Sequence, residues 1–531
     1  MSQIDDLQPW YWRSLPLEHR TGSQIFDCLF RHSGTIATLL ESPYPTPPDQ
    51  PQLARYSICA GMPRLQQGRH QMWTPPVGEI LPFLCRLLSP QADRGSWTAN
   101  SLVNTQEETG FPPPHLPFTG GWLGWLGYDL AWEIEQLPRL KADPLPFPVA
   151  FWYEPATFAV LDHAQQTLWL AATSQAELDS LQQRLEQQGL QVNEVDVEAW
   201  NPSSKLQPSN LQTFNLQPSN LQSFNLQPSN LQPSNFSFLS SQTDFEAAVV
   251  QAKKYIQAGD IFQANLSLRF EVATSADSWA IYRALQQINP SPFASYWQTP
   301  WGDVISCSPE RLVQLQGRQA QTRPIAGTRS RGATPEIDQQ LAQELIANAK
   351  ERAEHIMLVD LERNDLGRVC EWGSVEVNEL FTIERYSHVM HLVSNVMGTL
   401  RTDRDAVDLI RALFPGGTIT GCPKVRAIEI IEELEPVRRS LFYGSCGYID
   451  QRGHLDLNIL IRTLLVSDRD TGVNIEEKSL HTGDSTESKS IKIVSGQVGA
   501  GIVADSDPAK EWYESLHKAQ AQLSALKILS F

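Results

Sequence analysis

An α+β fold, with antiparallel β-sheets carrying helices on their outer faces, is what the sequence predicts, and three features predict it. Between residues 237 and 531, segments with 3.6-residue apolar periodicity alternate with strand-like runs. Long helices packed on an antiparallel sheet of such runs give the α+β class. Before residue 200, short apolar runs are broken by Pro-rich turns, the pattern of strands joined by loops with some helices.

The elements follow in order. "TIATLLES" (35–42) and "TFAVLDHAQQTLWLAA" (157–172) read as strands of the first part. "DFEAAVVQAKKYIQAG" (244–259) reads as a helix closed by glycine, and "DVISCSPERLVQLQG" (303–317) as strand. "IDQQLAQELIANAKERAEHIMLVD" (337–360) is helical, "GSVEVNELFTIERYS" (373–387) strand-like, and "AVDLIRALF" (406–414) and "VRAIEIIEELEP" (425–436) helical again. "LDLNILIRTLLVS" (455–467) reads as strand and "AKEWYESLHKAQAQLSAL" (509–526) as the last helix.

At 531 residues the chain is long enough for two domains or one large composite. The segment 206–235, "LQPSNLQTFNLQPSNLQSFNLQPSNLQPSN", repeats with a period of ten residues, too short for a helical solenoid. Its Pro, Ser, Asn and Gln content offers few groups to bury, so 201–236 is expected to be a low-complexity linker between an N-terminal region, 1–200, and a C-terminal region, 237–531. A second polar insertion, near 469–492, reads as an extended hairpin loop.

Composition narrows the function. The formal net charge is -18, which on average repels nucleic acid and anionic membrane. No apolar run reaches the roughly 18 residues that span a bilayer, and the first residues lack the basic-then-apolar order of a signal peptide, so a cytoplasmic location is expected. The seven cysteines are odd in number and scattered without a C-x-x-C pair, and are read as reduced packing residues. Cys422 sits in a Gly-rich loop, but with no histidine nearby in sequence it is a weak nucleophile candidate.

Several stretches carry chemistry. Glu351 and Glu354 in "AKERAEHIML", and Glu511 and Glu514 in "PAKEWYESLHK", each put two carboxylates on one helix face; the two faces together would suit Mg²⁺, while each alone reads as a solvated surface. "RPIAGTRSRG" (323–332) has the Arg-flanked, Gly-broken form of an anion-binding turn. "PGGTITGCPK" (415–424) leads into a helix and can offer backbone N–H groups to an anion, but it fails the P-loop spacing, because Pro423 separates the last glycine from Lys424. "SGQVGAGIVADSDP" lacks a strict dinucleotide fingerprint. His388 and His391 are candidate proton carriers or satisfied core histidines. Arg462, inside "NILIRTLL", is costly to bury without an anion; Asp456 is its candidate structural partner.

"GDIFQANLS", "SPERLV", "RPIAGTRSRG", "ERAEHIMLVDLERNDLGRV", "HVMHLVSNV", "GGTITGCPKVRAIEIIEELEP", "NILIRTLL" and "VGAGIVADSDPAKEWYESLHKA" together resemble the chorismate-utilising enzymes over residues 240–525. "TLLESP", "ARYSI" and "PFTGGWLGWLGYDL" resemble the N-terminal region of the two amine-adding members, anthranilate synthase component I and aminodeoxychorismate synthase component I. The resemblance implies a chorismate-binding fold and chorismate as substrate. It implies Mg²⁺ held by Glu354 and Glu514, with Glu351 and Glu511 behind them. It assigns the enolpyruvyl carboxylate to Tyr443, Arg462, Lys518 and the backbone at Gly499 and Gly501, and the ring-carboxylate side to Thr328 and the loop from Gly416 through Gly417 and Thr418 to Gly421. Glu310 matches the acid that protonates the departing C4 hydroxyl, and His391 a histidine that handles protons around the ring.

Two single residues bear on the product. Where isochorismate and salicylate synthases carry a lysine that activates water, this chain has Gln263, and an amide is a poor base. Ammonia, already a nucleophile, is expected instead, delivered by a separate glutamine amidotransferase subunit. Where aminodeoxychorismate synthases carry "PIKGT", this chain has Ala326 in "PIAGT", as anthranilate synthases do. The resemblance thus implies amination at C2 and loss of pyruvate to give anthranilate, for tryptophan biosynthesis. Asn265 in "QANLS", "FTGGWLGWLGYD" and "ESLHKA" resemble the aminodeoxychorismate branch, which serves p-aminobenzoate and folate, and keep that alternative open. A tryptophan site is implied at Glu41 and Ser42 of "LLES" and at Asn289, Pro290 and Ser291 of "NPSPF". A non-catalytic chorismate- or tryptophan-binding relative is the alternative of another class.

Overall fold

In the computed structural model the described residues are 10–43, 54–88, 115–189, 236–386, 389–468 and 491–529. The LQPSN repeats, the core of the 469–492 insertion and His388 lie outside them.

Two large sheets organise these residues, and every paired strand is antiparallel to its neighbours. The first has twelve strands. Along it Tyr11–Pro16, Thr167–Ala172, Thr157–Asp162, Tyr56–Ala60 and Ala37–Glu41 lead into Phe293–Thr299, Gly302–Ser308, Thr463–Asp468, Lys492–Ile502, Gln263–Thr274 and Phe236–Phe238. The short strand Gly421–Cys422 pairs with the start of Gln263–Thr274. The second sheet has ten strands and runs from Ile325–Ser330 through Val389–Thr399, Gln319–Thr322, Arg311–Gln316, Leu455–Asn458 and Ser445–Asp450 to Gly121–Leu126, Ala150–Tyr153 and Met72–Trp73; Glu376–Arg385 pairs with Val389–Thr399.

Segments on either side of the repeat therefore share both sheets. Ala294 stands opposite Glu41 in the first, and Tyr448 opposite Leu123 in the second. The aromatic side chains that fill the space follow the same rule: Trp125, before the repeat, meets Trp297, after it, edge to face at 5.7 Å between ring centroids. Both are buried, as are Phe151, Trp152 and Tyr153 beside them. Burial of such large rings is a main source of the stability that locks the two parts together.

Helices cover the outer faces. Ser241 caps Gln242–Ala258 at its start and Gly259, at φ 82°, ends it. The segment expected to be one helix at 337–360 is two, Pro335–Ala347 and Ala349–Gly367. Asn348 ends the first and caps the second, its side chain accepting the Glu351 N–H. Its extended backbone breaks the helical hydrogen-bond ladder, which periodicity alone does not register. Lys424–Leu434 and Pro508–Ile528 complete the set around the site. No helix among the described residues is long and apolar enough to cross a membrane.

Two stretches read as single strands are in fact split, and the splits build the site. "DVISCSPERLVQLQG" contributes Gly302–Ser308 to the first sheet and Arg311–Gln316 to the second. "LDLNILIRTLLVS" contributes Leu455–Asn458 to the second and Thr463–Asp468 to the first. Pro309–Glu310 and Ile459–Arg462 are thus neighbouring crossings between the sheets. They are tied by the Ile459 N–H donating to the Glu310 carbonyl at 3.0 Å and the Cys307 N–H donating to the Arg462 carbonyl at 3.2 Å.

Candidate active site

The crossings carry the acid and the cation. Glu310 is 5% exposed, and burial pushes its carboxyl up to about 8, with the charge of Glu362 adding to the rise and Arg462 opposing it. At neutral pH it is a protonated acid. Arg462 sits at φ 50° and donates from Nη1 to Asn289 Oδ1 at 2.8 Å. Its candidate partner Asp456 instead binds Arg311, with both oxygens at 2.8 Å. Arg462 is half-buried, and among the described residues it makes no salt bridge, so its guanidinium meets a neutral amide and space.

That space is a cavity lined by Arg462, His391, Tyr386, Val389, Pro309, Asn289, Pro290 and Ser291. His391 lies in Val389–Thr399, opposite Thr328 in the register, and its Nδ1 is 3.0 Å from Thr328 Oγ1. Burial and the nearby Arg462 hold the imidazole down to about 3, hence neutral, and Nε2 has no hydrogen-bond partner.

Buried polar atoms without a partner occur in several parts of the described structure, and five of them belong to residues singled out from the sequence. Gln263 Oε1, Asn265 Oδ1, Thr418 Oγ1, the Tyr443 hydroxyl and His391 Nε2 are all buried and unsatisfied. Tyr443, at φ 64°, turns toward Ser267 without reaching hydrogen-bond geometry, and Thr418 turns toward Glu310 in the same way.

Gly499 and Gly501, two apart on Lys492–Ile502, share one face of the strand. A Cβ on Gly499 would stand 2.9 Å from both Asn265 Oδ1 and the Tyr443 hydroxyl. A Cβ on Gly501 would stand 2.7 Å from Gln263 Nε2 and 3.7 Å from Glu354 Oε1. The glycines leave open the volume into which these groups point.

The four carboxylates come from the two helices as expected from their spacing, but they are not equivalent. Glu351 is engaged by Arg329 at 2.7 Å and packs over Gly327. Lys518 donates to Glu514 at 2.9 Å and to the Gly499 carbonyl at 2.9 Å. Glu354 is raised above its ordinary value by burial and then by the Glu514 and Glu351 charges, which Lys518 partly offsets; Glu511 is raised chiefly by burial. Among the described residues no three His, Cys, Asp or Glu side chains stand as a ready metal cage. Mg²⁺ takes only one or two protein carboxylates, with water and substrate oxygens completing its shell. The mutual repulsion at Glu354 and Glu514 fits such an ion.

The expected anion-binding turn at 323–332 is corrected. Arg323 pairs with Glu384 at 2.6 Å and Glu379 at 2.7 Å, Arg329 with Glu351, and Arg331 with Asp338 at 2.7 Å. The cations are consumed by acids from neighbouring elements, and 325–330 is a strand in which Ala326 is 8% exposed.

At the implied tryptophan site, Ala37–Glu41 and Phe293–Thr299 are adjacent strands, which brings the two segments together. The Glu41 carboxylate already accepts from the Ser23 N–H at 2.7 Å, the Ser23 hydroxyl at 2.6 Å and the Tyr282 hydroxyl at 2.6 Å. Ser42 reaches the Pro292 carbonyl at 3.5 Å.

Sequence reading passed over Glu362, His355 and Tyr386. Glu351, Glu354, His355, Glu362 and Asp365 recur at helical spacing along Ala349–Gly367, and a polar stripe on a face with buried members was the available signal.

Comparison with known proteins matches this architecture. Residues 85–524 match the model of the chorismate binding enzyme family. The chain is 57% identical over 524 residues to an anthranilate synthase component I-like protein of Synechocystis, covering 98% of this chain and 93% of that one. It is 42% identical over 437 residues to aminodeoxychorismate synthase component 1 of Bacillus subtilis, covering 82% and 81%. The crystal structure of anthranilate synthase component I from Streptococcus pneumoniae superposes with a TM-score of 0.64 at 29% identity, over 88% of this chain and 92% of that one. The chain belongs to the chorismate binding enzyme family and is a chorismate-utilising enzyme.

Proposed function

We propose that this enzyme adds ammonia to C2 of chorismate and releases pyruvate to form anthranilate, as component I of an anthranilate synthase. The observation that carries the choice of C2 is Ala326. It is buried in Ile325–Ser330 opposite Leu392, beside the Thr328–His391 pair, so at this point of the site the chain supplies a methyl group and no amine to attack the ring first.

The chain's own groups divide the work. Arg462, Tyr443 and Lys518 hold the enolpyruvyl carboxylate, and Thr328 with the Gly416–Gly421 loop lines the ring-carboxylate side. Glu354 and Glu514 would hold Mg²⁺, which when bound would supply charge neutralisation at the ring carboxylate. Gln263 lines the approach to C2 and, as an amide, leaves water unactivated. As the C–N bond forms at C2 and the ring double bond shifts, the C4–O bond breaks and Glu310 gives its proton to the leaving hydroxyl, which departs as water. The ammonium formed at C2 gives a proton to solvent, the C2 hydrogen is lost as a proton to neutral His391 Nε2, and the C3–O bond breaks; the enolpyruvate that leaves takes up a proton at its methylene carbon to become pyruvate, and the ring is aromatic. Ammonia comes from a separate glutamine amidotransferase, in keeping with the "component" names of the relatives. Tryptophan is proposed as a further ligand at 41–42 and 289–291.

A second reading, aminodeoxychorismate synthase component I, is favoured by the Bacillus subtilis relative and by Asn265, whose Oδ1 has no hydrogen-bond partner and would stand 2.9 Å from a Cβ on Gly499. The two separate in one experiment: purified chain, chorismate, a magnesium salt and an ammonium salt at alkaline pH, with products resolved by chromatography. Anthranilate and pyruvate in equal amounts support C2 amination. A product that gives p-aminobenzoate only after an added lyase would replace it with C4 amination.

A further inference from the structure

One aromatic side chain lines the cavity and has no part in the chemistry above. Tyr386 stands there with His391 and Arg462, and it is buried. Its ring meets the His391 imidazole edge to face, with 5.7 Å between centroids and 61° between planes. Its hydroxyl donates to Glu384 Oε2 at 2.7 Å. Glu384 stands opposite His391 in the strand register, so the two side chains share one face of the sheet, and a phenol that reaches Glu384 lies across the imidazole. The other oxygen of Glu384 accepts from Arg323 Nε at 2.6 Å, and Arg323 Nη2 donates to Glu379 at 2.7 Å. The first cation of "RPIAGTRSRG" thus fixes a cavity side chain through a buried acid.

The main chain at Tyr386 is held separately. Its N–H donates to the Val389 carbonyl at 2.8 Å, and its carbonyl accepts from Arg331 Nη1 at 2.6 Å. Arg331 is itself paired with Asp338. None of these ties depends on the phenol, so a change of side chain leaves the backbone of the turn in place.

His391 Nδ1 is 3.0 Å from Thr328 Oγ1, whereas Nε2 has no hydrogen-bond partner. The last side-chain torsion of histidine has broad minima, so a tie at one nitrogen leaves the ring plane free to tilt. We propose that Tyr386 is a positioning residue for His391: anchored through Glu384 to Arg323, its ring fixes the plane of the imidazole and so aims Nε2 at the C2 hydrogen of the aminated ring. The inference rests on the reading of His391 as the base that takes this proton. In that step the Nε2–H bond forms and the C2–H bond breaks, and its electron pair becomes the C2–C3 double bond as enolpyruvate leaves from C3. For Nε2 to accept, Nδ1 keeps its hydrogen and points it at Thr328 Oγ1. Thr328 then sets the tautomer and Tyr386 the direction.

Amination and elimination make different demands, which separates positioning from general packing. Amination draws on Glu310, and elimination on His391. Full-length wild type, Tyr386→Leu and Tyr386→Phe are incubated with chorismate, a magnesium salt and an ammonium salt at alkaline pH. Chorismate, the aminated non-aromatic intermediate and anthranilate are then followed by chromatography. Tyr386→Leu, which removes the ring, should slow anthranilate formation about 10²-fold while chorismate is still consumed, so that the intermediate accumulates and KM for chorismate is unchanged. Tyr386→Phe, which keeps the ring and loses its anchor, should fall between Leu and wild type. A merely structural role slows both steps together. Variants in which chorismate loss and anthranilate formation fall in step, with no intermediate, overturn the proposal, as do wild-type rates in both. If the Leu variant does not fold, the Phe variant is read by the same criterion. Wild-type chain that makes no anthranilate overturns the functional reading and this inference with it; wild-type anthranilate without intermediate from the variants overturns this inference alone.

Discussion

Substituting Gly501 by alanine tests the geometry of the site most directly. The new Cβ would stand 2.7 Å from Gln263 Nε2, whereas ordinary contact begins at 3.4 Å, so the amide must retreat by about 0.7 Å. The obstacle is the far end of a flexible side chain. Gly501 does not have a left-handed φ, so alanine costs nothing in backbone strain and gains about 0.4–1 kcal/mol by restricting the unfolded chain. An off-rotamer Gln263 costs about 0.5–1.5 kcal/mol, so the two nearly cancel and the thermal midpoint should move little. Activity should not survive as well. The Gln263 amide shifts, the methyl group lies 3.7 Å from Glu354 Oε1, and misplacement by about 1 Å is worth roughly 10²-fold in rate. The assay pairs a thermal melt with steady-state kcat/KM for ammonia-dependent chorismate turnover. A variant with wild-type kcat/KM would refute the placement of substrate against the Gln263–Gly501–Glu354 wall. Gly499→Ala is the contrast: its Cβ would meet the Leu266 carbonyl oxygen at 2.5 Å, a backbone clash that no rotamer relieves, and it should cost about 1–3 kcal/mol of stability as well as activity.

Glu354→Gln and Glu514→Gln should each abolish magnesium-dependent turnover. A carboxyl raised above its unfolded value costs stability as pH climbs past that value, so metal-free Glu354→Gln should melt no lower than wild type at neutral pH; retained activity in either variant would remove the metal assignment. Tryptophan titrated to micromolar levels should raise the KM for chorismate, because Asn289 in the implied tryptophan segment is also the side chain that holds Arg462. Binding seen by calorimetry without any change in KM would make tryptophan a structural ligand instead.

Much of this molecule is legible in its sequence, for a physical reason. Helix and strand type depend on local periodicity, and the helices at 244–259, 406–414, 425–436 and 509–526 fall where the apolar spacing puts them. The acidic pairs on two helices, the Gly-rich loop before Lys424–Leu434 and the lone arginine in an apolar run all announce a polar site through residue type and spacing alone. The resemblance to chorismate-utilising enzymes rests on the same motifs.

What the sequence does not contain is which strand joins which sheet. "DVISCSPERLVQLQG" and "LDLNILIRTLLVS" carry continuous strand signals, because a crossing at Pro309–Glu310 or at Ile459–Arg462 leaves apolar patterning unbroken on both sides. Only the packing of two sheets decides that the chain changes partner there, and it thereby puts the acid and the arginine side by side. The arginines of "RPIAGTRSRG" show the same limit, since their partners Glu351, Asp338, Glu379 and Glu384 lie on other elements. Residue identity and local spacing determined which groups this protein has to work with. Long-range pairing, which no local window encodes, decided which of them are spent on one another and which are left facing the cavity.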